Sequence, residues 1–185
     1  MKKRIICILL FFCITLTYTF SNKYVDLVED KALGFSFTNA FNDDYMVLGL
    51  SYQQWFSNGL GFQVVAGGGD AKYNIDPFYC AEIELQKMFY AYKLDNLTTT
   101  LYGWLNTGYC SYLDYAGYEY DSKTDNYYTK KETLSVIGLG LGFGVDFILS
   151  NNFSLPVKIG YITSYSSVDD YMMNVSLNLG IRYRF

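Results

Sequence analysis

The chain has 185 residues, enough for one domain and little more. It carries 14 Lys plus Arg against 18 Asp plus Glu and no histidine, while Tyr and Phe alone number 20 and 14. A net-acidic chain repels phosphates, which excludes nucleic acid as a partner, and the missing histidine removes the usual general base of hydrolytic chemistry.

Lys2, Lys3 and Arg4 precede an apolar run, and Thr19 and Ser21 stand at the −3 and −1 positions of a cleavage site after Ser21. Residues 1–21 therefore read as a secretory signal peptide and residues 22–185 as the mature domain. The run is short and diluted with threonine for a membrane anchor. Phe11 and Phe12 before Cys13 do not suit a lipoprotein signal. Fourteen basic residues less the three of the leader leave eleven against eighteen acids, a mature net charge of −7.

From Leu33 onward the signal is a period of two. Leu33, Phe35 and Phe37 alternate with Gly34, Ser36 and Thr38, and Met46, Leu48, Leu50 and Tyr52 with Val47, Gly49, Ser51 and Gln53. Leu60, Phe62, Val64 and Ala66 then alternate with Gly61, Gln63, Val65 and Gly67. Ala81, Ile83 and Leu85 do so with Glu82, Glu84 and Gln86. Residues 98–112 are extended, but their two faces cannot be separated, because large side chains occur at both parities.

Residues 135–147 read SVIGLGLGFGVDF: Ile137, Leu139, Leu141, Phe143, Val145 and Phe147 on one face, four glycines and Asp146 on the other. Phe153 to Tyr161 repeats the pattern, with Lys158 among the small residues. From Met173 to Phe185 every odd position is apolar and every even one polar, charged or glycine. Such a period excludes an amphipathic helix. The glycines do not form a phosphate loop, because no Gly-Lys-Ser/Thr or following helix accompanies them. Nor do they mark a membrane-helix seam, given Asp146 and the strict alternation.

Eight strands result, joined alternately by tight turns at Ser57–Gly59, Lys93–Asn96 and Ser150–Asn152 and by longer or more acidic segments at Asn42–Asp44, Gly69–Pro77, Leu113–Glu132 and Ser164–Asp170. The expected fold is all-β: an eight-stranded antiparallel up-and-down barrel. A soluble barrel would carry Lys and Glu outside, whereas here the second face is Gly, Ser, Asn and Thr. That suits the packed interior of a narrow barrel, with the apolar face turned to lipid.

The signal peptide, the alternation of short turns and long loops, and a terminal Phe185 preceded by Tyr183, Ile181, Leu179 and Leu177 resemble the small eight-stranded outer-membrane barrels of the OmpA/OmpX type. The resemblance covers about residues 31–185. It implies a transmembrane barrel in the cell outer membrane, periplasmic turns, surface-exposed long loops, and Leu177, Leu179, Ile181, Tyr183 and Phe185 as the sorting pattern met by the barrel-assembly machinery. Outer-membrane lipid is then a partner, and the expected state is a monomer without cofactor.

Several residues are candidates for function. Glu82 and Glu84 share one face with Cα atoms roughly 6.5–7 Å apart, a spacing that a paired-carboxylate glycosidase could use. The favoured reading sets Glu82, Glu84 and Asp146 against Lys158, Arg182 and Arg184 as an interior charge array that plugs the lumen. Cys80 and Cys110 are equidistant from Asp95, so a hairpin centred there would pair them in a disulfide in an oxidising compartment; a one-residue bulge would separate them. No Cys-x-x-Cys or histidine cluster supports a metal site.

The segment Leu113–Glu132 offers Tyr115, Tyr118, Tyr120, Tyr127 and Tyr128 as contact residues for an extracellular ligand that the sequence does not name. The four outer segments hold eleven acids against Lys72, Lys123, Lys130 and Lys131, which favours divalent cations or basic partners. The expected function is a non-enzymatic structural or surface-binding, adhesion-type role. The alternative is a small-conductance, porin-like pore.

Overall fold

The computed structural model describes residues 31–40, 45–71, 75–121, 126–149, 152–166 and 172–185. The proposed signal peptide, its cleavage point and residues 42–44 lie outside these. Eight strands form the fold: β1 (Lys31–Ala40), β2 (Tyr45–Trp55), β3 (Leu60–Ala71), β4 (Ile75–Leu94), β5 (Leu97–Asp121), β6 (Asn126–Leu149), β7 (Phe153–Ser166) and β8 (Met172–Arg184). Each pairs antiparallel with its sequence neighbours, and β1 with β8 closes the barrel. At the seam Phe185 N–H donates to the Lys31 carbonyl over 2.9 Å. A closed ladder leaves no sheet edge around the barrel wall.

Local chemistry sets the tight turns. Gly59 adopts φ 70°, and its N–H closes the β2–β3 turn on the Phe56 carbonyl at 2.9 Å. Asn152 takes the same place between β6 and β7, with φ 65° and a 3.2 Å bond to the Leu149 carbonyl. Glycine and asparagine tolerate this left-handed backbone. In both turns the carbonyl of that residue also accepts from the adjoining strand, Met88 N–H at Gly59 and Arg184 N–H at Asn152.

Side-chain parity then sorts the faces. Leu48, Leu50, Ile83, Leu85, Leu139, Leu141, Ile159 and Leu179 are exposed on the outside. Aromatic residues bracket this band, with Tyr92, Phe153 and Tyr183 toward the turns and Tyr79, Tyr109 and Tyr165 toward the other end. Hydroxyls on the outer face bond back to the wall: Thr107 donates to the Gly138 carbonyl and Thr163 to that of Leu139, each at 3.2 Å. The buried side chains are mostly polar, among them Gln53, Gln63, Glu84, Asp146, Lys158 and Arg182.

The alternate glycines of β6 make room for two aromatic side chains from β5. In register, Tyr102 faces Gly144 and Trp104 faces Gly142. A Cβ on Gly144 would collide with the Tyr102 ring, one on Gly142 would meet the Trp104 ring at 2.8 Å and one on Gly140 the same ring at 3.1 Å. The Trp104 indole N–H is anchored on the Phe143 carbonyl at 3.1 Å. Trp55, Met88, Ala91, Tyr102 and Trp104 thus form an apolar cluster inside the barrel near the turns. Gly138, two residues further, has only Ile162 and Thr163 atoms at 3.7 and 3.8 Å around a notional Cβ.

The faces of residues 98–112 follow: Thr100, Tyr102, Trp104 and Asn106 are buried inside, while Leu101 and Tyr109 are exposed outside. β4 changes parity at Phe89, where the register slips between Met88 and Tyr90, so Met88 and Ala91 both point inward.

Three segments expected as connections are strand over part of their described residues. β3 runs to Ala71 and β4 starts at Ile75, and β7 runs to Ser166. Most of Leu113–Glu132 is a correction: β5 continues to Asp121 and β6 begins at Asn126, with register held from Tyr112↔Leu134 to Asp121↔Asn126 around one bulge between Tyr115 and Gly117. Its tyrosines and threonines favour extended chain more strongly than its acids and glycine oppose it. Tyr120 and Tyr127 sit directly opposite with ring centroids 5.1 Å apart, a cross-strand aromatic pair of the kind that stabilises a ribbon.

Adding one methyl group separates the crowded from the open glycines. Gly142→Ala should cost about 1–3 kcal/mol through overpacking, whereas Gly138→Ala should stay within about 0.5 kcal/mol of the parent. Urea unfolding of detergent-refolded protein, followed by tryptophan fluorescence, measures both.

Candidate functional site

Two places gather the candidate residues: the lumen, and the ribbon formed by the upper parts of β5 and β6.

In the lumen the charges segregate into pairs. Lys158 on β7 donates to Glu84 Oε2 on β4 at 2.7 Å, across the barrel rather than between adjacent strands. Its ammonium also lies 5.6 Å from the centroid of the Trp104 ring, within reach of a cation–π attraction. Arg184 Nη1 is 2.8 Å from Asp146 Oδ2, and Arg182 Nη1 is 3.6 Å from the same oxygen. Glu84, Asp146, Lys158, Arg182 and Arg184 are all buried.

Uncharged residues weld these pairs into one network. Gln86 Nε2 donates to Glu84 Oε1 at 2.6 Å and to Gln63 Oε1 at 3.2 Å, and its own oxygen accepts from Gln53 Nε2 at 2.8 Å. Gln63 Oε1 also accepts from Arg182 Nη2 at 2.8 Å, and Ser154 Oγ accepts from Arg184 at 3.3 Å. A continuous chain of bonds therefore links β2, β3, β4, β6, β7 and β8 through the middle of the barrel. Separate bonds attach the other two strands, Asn178 Nδ2 to Ser36 Oγ on β1 at 2.7 Å and Asn106 Nδ2 on β5 to Glu82 Oε1 at 2.8 Å.

Glu82 lies within electrostatic reach of Lys158 and Glu84 but is hydrogen-bonded elsewhere. Its bonded partner is the Asn106 amide, while Glu84 is committed to Lys158 and Gln86. The two carboxylates thus have different hydrogen-bond partners while sharing the field of Lys158. The sequence reading missed the three glutamines as site residues. Gln53, Gln63 and Gln86 all fall on the inward parity, and three long amides facing a narrow lumen were the available signal.

Cys80 and Cys110 are bridged, facing each other in the register with Cα atoms 4.3 Å apart. The geometry reverses the expected role of a bulge. The hairpin turn is Asp95-Asn96, flanked by the pair Leu94↔Leu97, and that turn alone would set Cys80 opposite Ser111. The extra residue at Phe89 moves the register by one and delivers Cys80 to Cys110.

The ribbon is the second place. β5 and β6 are 25 and 24 residues long, against 10 to 14 for β1, β2, β3, β7 and β8. Among the described residues β4 accompanies β5 as far as Tyr79↔Ser111, and β7 accompanies β6 to Val136↔Ser166. Residues 112–121 and 126–135 then continue as a two-stranded ribbon for roughly 30 Å, at about 3.3 Å per residue. Tyr118, Tyr120 and Tyr127 are exposed along it. The backbones of Tyr115 and Tyr128 belong to the two strands, and their side chains lie outside the described set. Among the described residues no group of His, Cys, Asp and Glu is arranged to hold a metal ion.

The C-terminal residues Leu179, Ile181, Tyr183 and Phe185 are exposed on the outer face, and Leu177 is partly covered there.

Breaking one buried pair should be expensive. Glu84→Gln leaves the Lys158 ammonium without its carboxylate and should lower stability by about 3–5 kcal/mol, whereas Glu84→Gln with Lys158→Met removes both charges and should recover most of the loss. Unfolding midpoints of the two variants and the parent in detergent measure the difference.

No family model and no curated protein matches the chain. Solved structures do. The N-terminal β-barrel domain of OprF from Pseudomonas aeruginosa superposes with a TM-score of 0.56 at 10% identity, covering 85% of this chain and 98% of that one. Outer membrane protein H (OprH) from the same organism, solved in micelles, gives 0.58 at 17% identity, covering 84% and 99%. With its closed eight-stranded ladder, polar interior and apolar exterior, the chain has the fold of the small eight-stranded outer-membrane β-barrels.

Proposed function

We propose that the protein is an integral outer-membrane barrel with a non-enzymatic structural or surface-contact role, presenting the β5–β6 ribbon outside the cell. The observation that carries this reading is the filled lumen. The Lys158–Glu84 pair spans the barrel, the glutamines join it to the Asp146–arginine cluster, and Tyr102 and Trp104 occupy the space above the β6 glycines. An eight-stranded barrel has room for its own side chains and little else. Ions crossing it would have to separate buried pairs that have no alternative solvation.

An exposed apolar face of this extent has no stable place in water. A bilayer accepts it because the closed ladder satisfies the backbone internally, and the aromatic residues at both margins match the bilayer interfaces. The likeness to OprF and OprH supports the outer membrane as its location. The N-terminal basic and apolar segment supplies the export signal, and the terminal aromatic pattern on β8 supplies the contact for barrel assembly. Lacking histidine, the chain has no conventional base for the hydrolytic chemistry of barrel enzymes.

The function is then carried by what projects from the wall. Exposed tyrosines on a protruding ribbon give large, rigid, amphipathic contact area at small entropic cost, and among the described residues the ribbon continues beyond the neighbouring strands.

The alternative reading, a small pore, is separated by conductance. Refolded protein in planar bilayers should show no steady current, only rare small events. A constant ohmic conductance that changes with Glu84→Gln or Arg182→Gln would establish the pore and defeat the plug.

A further inference from the structure

We propose that the end of the lumen away from the turns is a blind cup that binds a primary alkylammonium group, with the Glu82 carboxylate as acceptor. The site goes beyond the surface-contact role above, and its closed floor rests on the plugged lumen of that reading.

Accessibility, packing and charge meet at one level of the barrel. Register sets the inward residues of β4, β5 and β6 in rows across the wall. Glu84, Asn106 and Gly140 make one row, Glu82, Gly108 and Gly138 the next, and Cys80, Cys110 and Val136 the one beyond. Glu84 and Asn106 are buried, as are Gln86, Trp104 and Asp146 toward the turns. Glu82, Cys80, Cys110 and Val136 are partly exposed although their side chains share the inward parity. The filling therefore stops beneath Glu82, and the row of the disulfide forms a rim about 7 Å further out.

Unlike Gly140 and Gly142, the two glycines beside Glu82 are not required by packing within the chain. A Cβ on Gly108 would meet Ala81 and Glu82 atoms at 3.4, 3.8 and 3.9 Å, and one on Gly138 Ile162 and Thr163 atoms at 3.7 and 3.8 Å. Neither glycine has the positive φ that would demand it. They face each other in register, and together they leave the wall bare next to the carboxylate. Bare wall at an accessible level is room for a guest.

Charge gives the guest its sign. Among the described residues, Glu82 and Glu84 face Lys158 at this end, two acids against one base, while Asp146 faces Arg182 and Arg184 toward the turns, one acid against two. The lumen is balanced as a whole but negative at the cup. Lys158 reaches Glu82 through its field, yet its hydrogen bond goes to Glu84. Glu82 Oε1 accepts from Asn106, and its other oxygen accepts no hydrogen bond among the described residues. A cation entering from outside meets that oxygen between low-dielectric walls, which strengthen the attraction.

The walls narrow the chemistry further. Ile162, Val136 and the Cys80–Cys110 bridge are apolar and partly accessible. One carboxylate oxygen is too little for a metal ion that takes several oxygen ligands, and a guanidinium fork uses both oxygens of a carboxylate. A primary ammonium on a slim alkyl stem asks for one strong acceptor and an apolar sleeve. A free amine and a lysine side chain of another protein share that chemistry.

The test titrates the full mature chain, refolded in uncharged detergent, with pentylammonium chloride while the amide resonances of Gly108 and Gly138 are followed by NMR. Saturable shifts are expected at both glycines. Sodium chloride and tetramethylammonium chloride at equal ionic strength should give none. Glu82→Gln keeps the shape and should weaken binding about tenfold or more, the worth of a charge-assisted hydrogen bond. Gly138→Val fills the slot and should abolish binding with Glu82 intact. Folding of each variant is checked by migration on a gel before and after boiling, and if one does not refold the other decides alone.

N-acetyl-lysine amide separates the sources: saturation by it at the same glycines admits a protein-borne lysine, and its failure where pentylammonium binds leaves a free amine. No saturable shift in the folded parent overturns the proposal, as do equal shifts from the control salts or undiminished binding in a folded variant. Each of these leaves the plugged barrel standing. Passage of pentylammonium through the barrel out of loaded vesicles would instead remove the plug, and the closed floor of the cup with it.

Discussion

A barrel of eight strands encloses a space too narrow for bulk water and too wide to be filled by backbone, so the chain must supply its own filling. Everything else in this structure answers to that constraint. Where β5 brings Tyr102 and Trp104 inward, β6 and β7 must be bare, and glycine occupies positions 140, 142, 144 and 160. Where the interior is polar, each charge needs a partner, because desolvated ions without one cost more than the fold can offset. Asp146 meets two arginines from β8, and Glu84 meets a lysine from β7 on the far wall. The amides of Gln53, Gln63 and Gln86 fill the gaps between pairs, and Gln86 uses both ends of its side chain to join the other two to Glu84.

The same constraint divides the molecule in two. Up to Ser111 and Val136 the strands are bound into the wall, and their side-chain choices are dictated by packing. Beyond those residues β5 and β6 have no interior to fill, and their composition changes to tyrosine, threonine and charge. A protein that meant only to close a barrel would turn there. The continuation to Asp121 and Asn126 spends chain on a ribbon that contributes nothing to the lumen, which is the physical reason to place the function in it.

How much of this was legible in the sequence depends on what each feature requires. The period of two on β1, β2, β3, β7 and β8 is local, and it assigned their faces directly. The glycine run of β6 declared a crowded wall, but not what crowds it, because Tyr102 and Trp104 lie in a strand with large residues on both faces. The slip at Phe89 left no trace, since Met88, Phe89 and Tyr90 are all apolar and suit either side. It is nonetheless the slip that sets Cys80 against Cys110. Ion partners were beyond reach: parity placed six charges inside, but only the stagger of the closed barrel gives Lys158 to Glu84 and leaves Glu82 to an amide. The ribbon looks like loop in the sequence because acids and glycine punctuate it, and local composition does not reveal the β5–β6 ladder that outweighs them.

The central claim is that the polar face is the filled interior and the apolar face meets hydrocarbon. Fluorescence quenching by lipids brominated along the acyl chain tests it most directly, with single tryptophans in the refolded barrel. One protein keeps only Trp104, with Trp55→Phe; the other carries Leu141→Trp with both native tryptophans replaced by phenylalanine. The account predicts strong quenching at position 141 and almost none at Trp104. Equal protection of both, in a β-rich product that stays in solution without lipid, would contradict it and make the exposed apolar band the buried face of a soluble assembly.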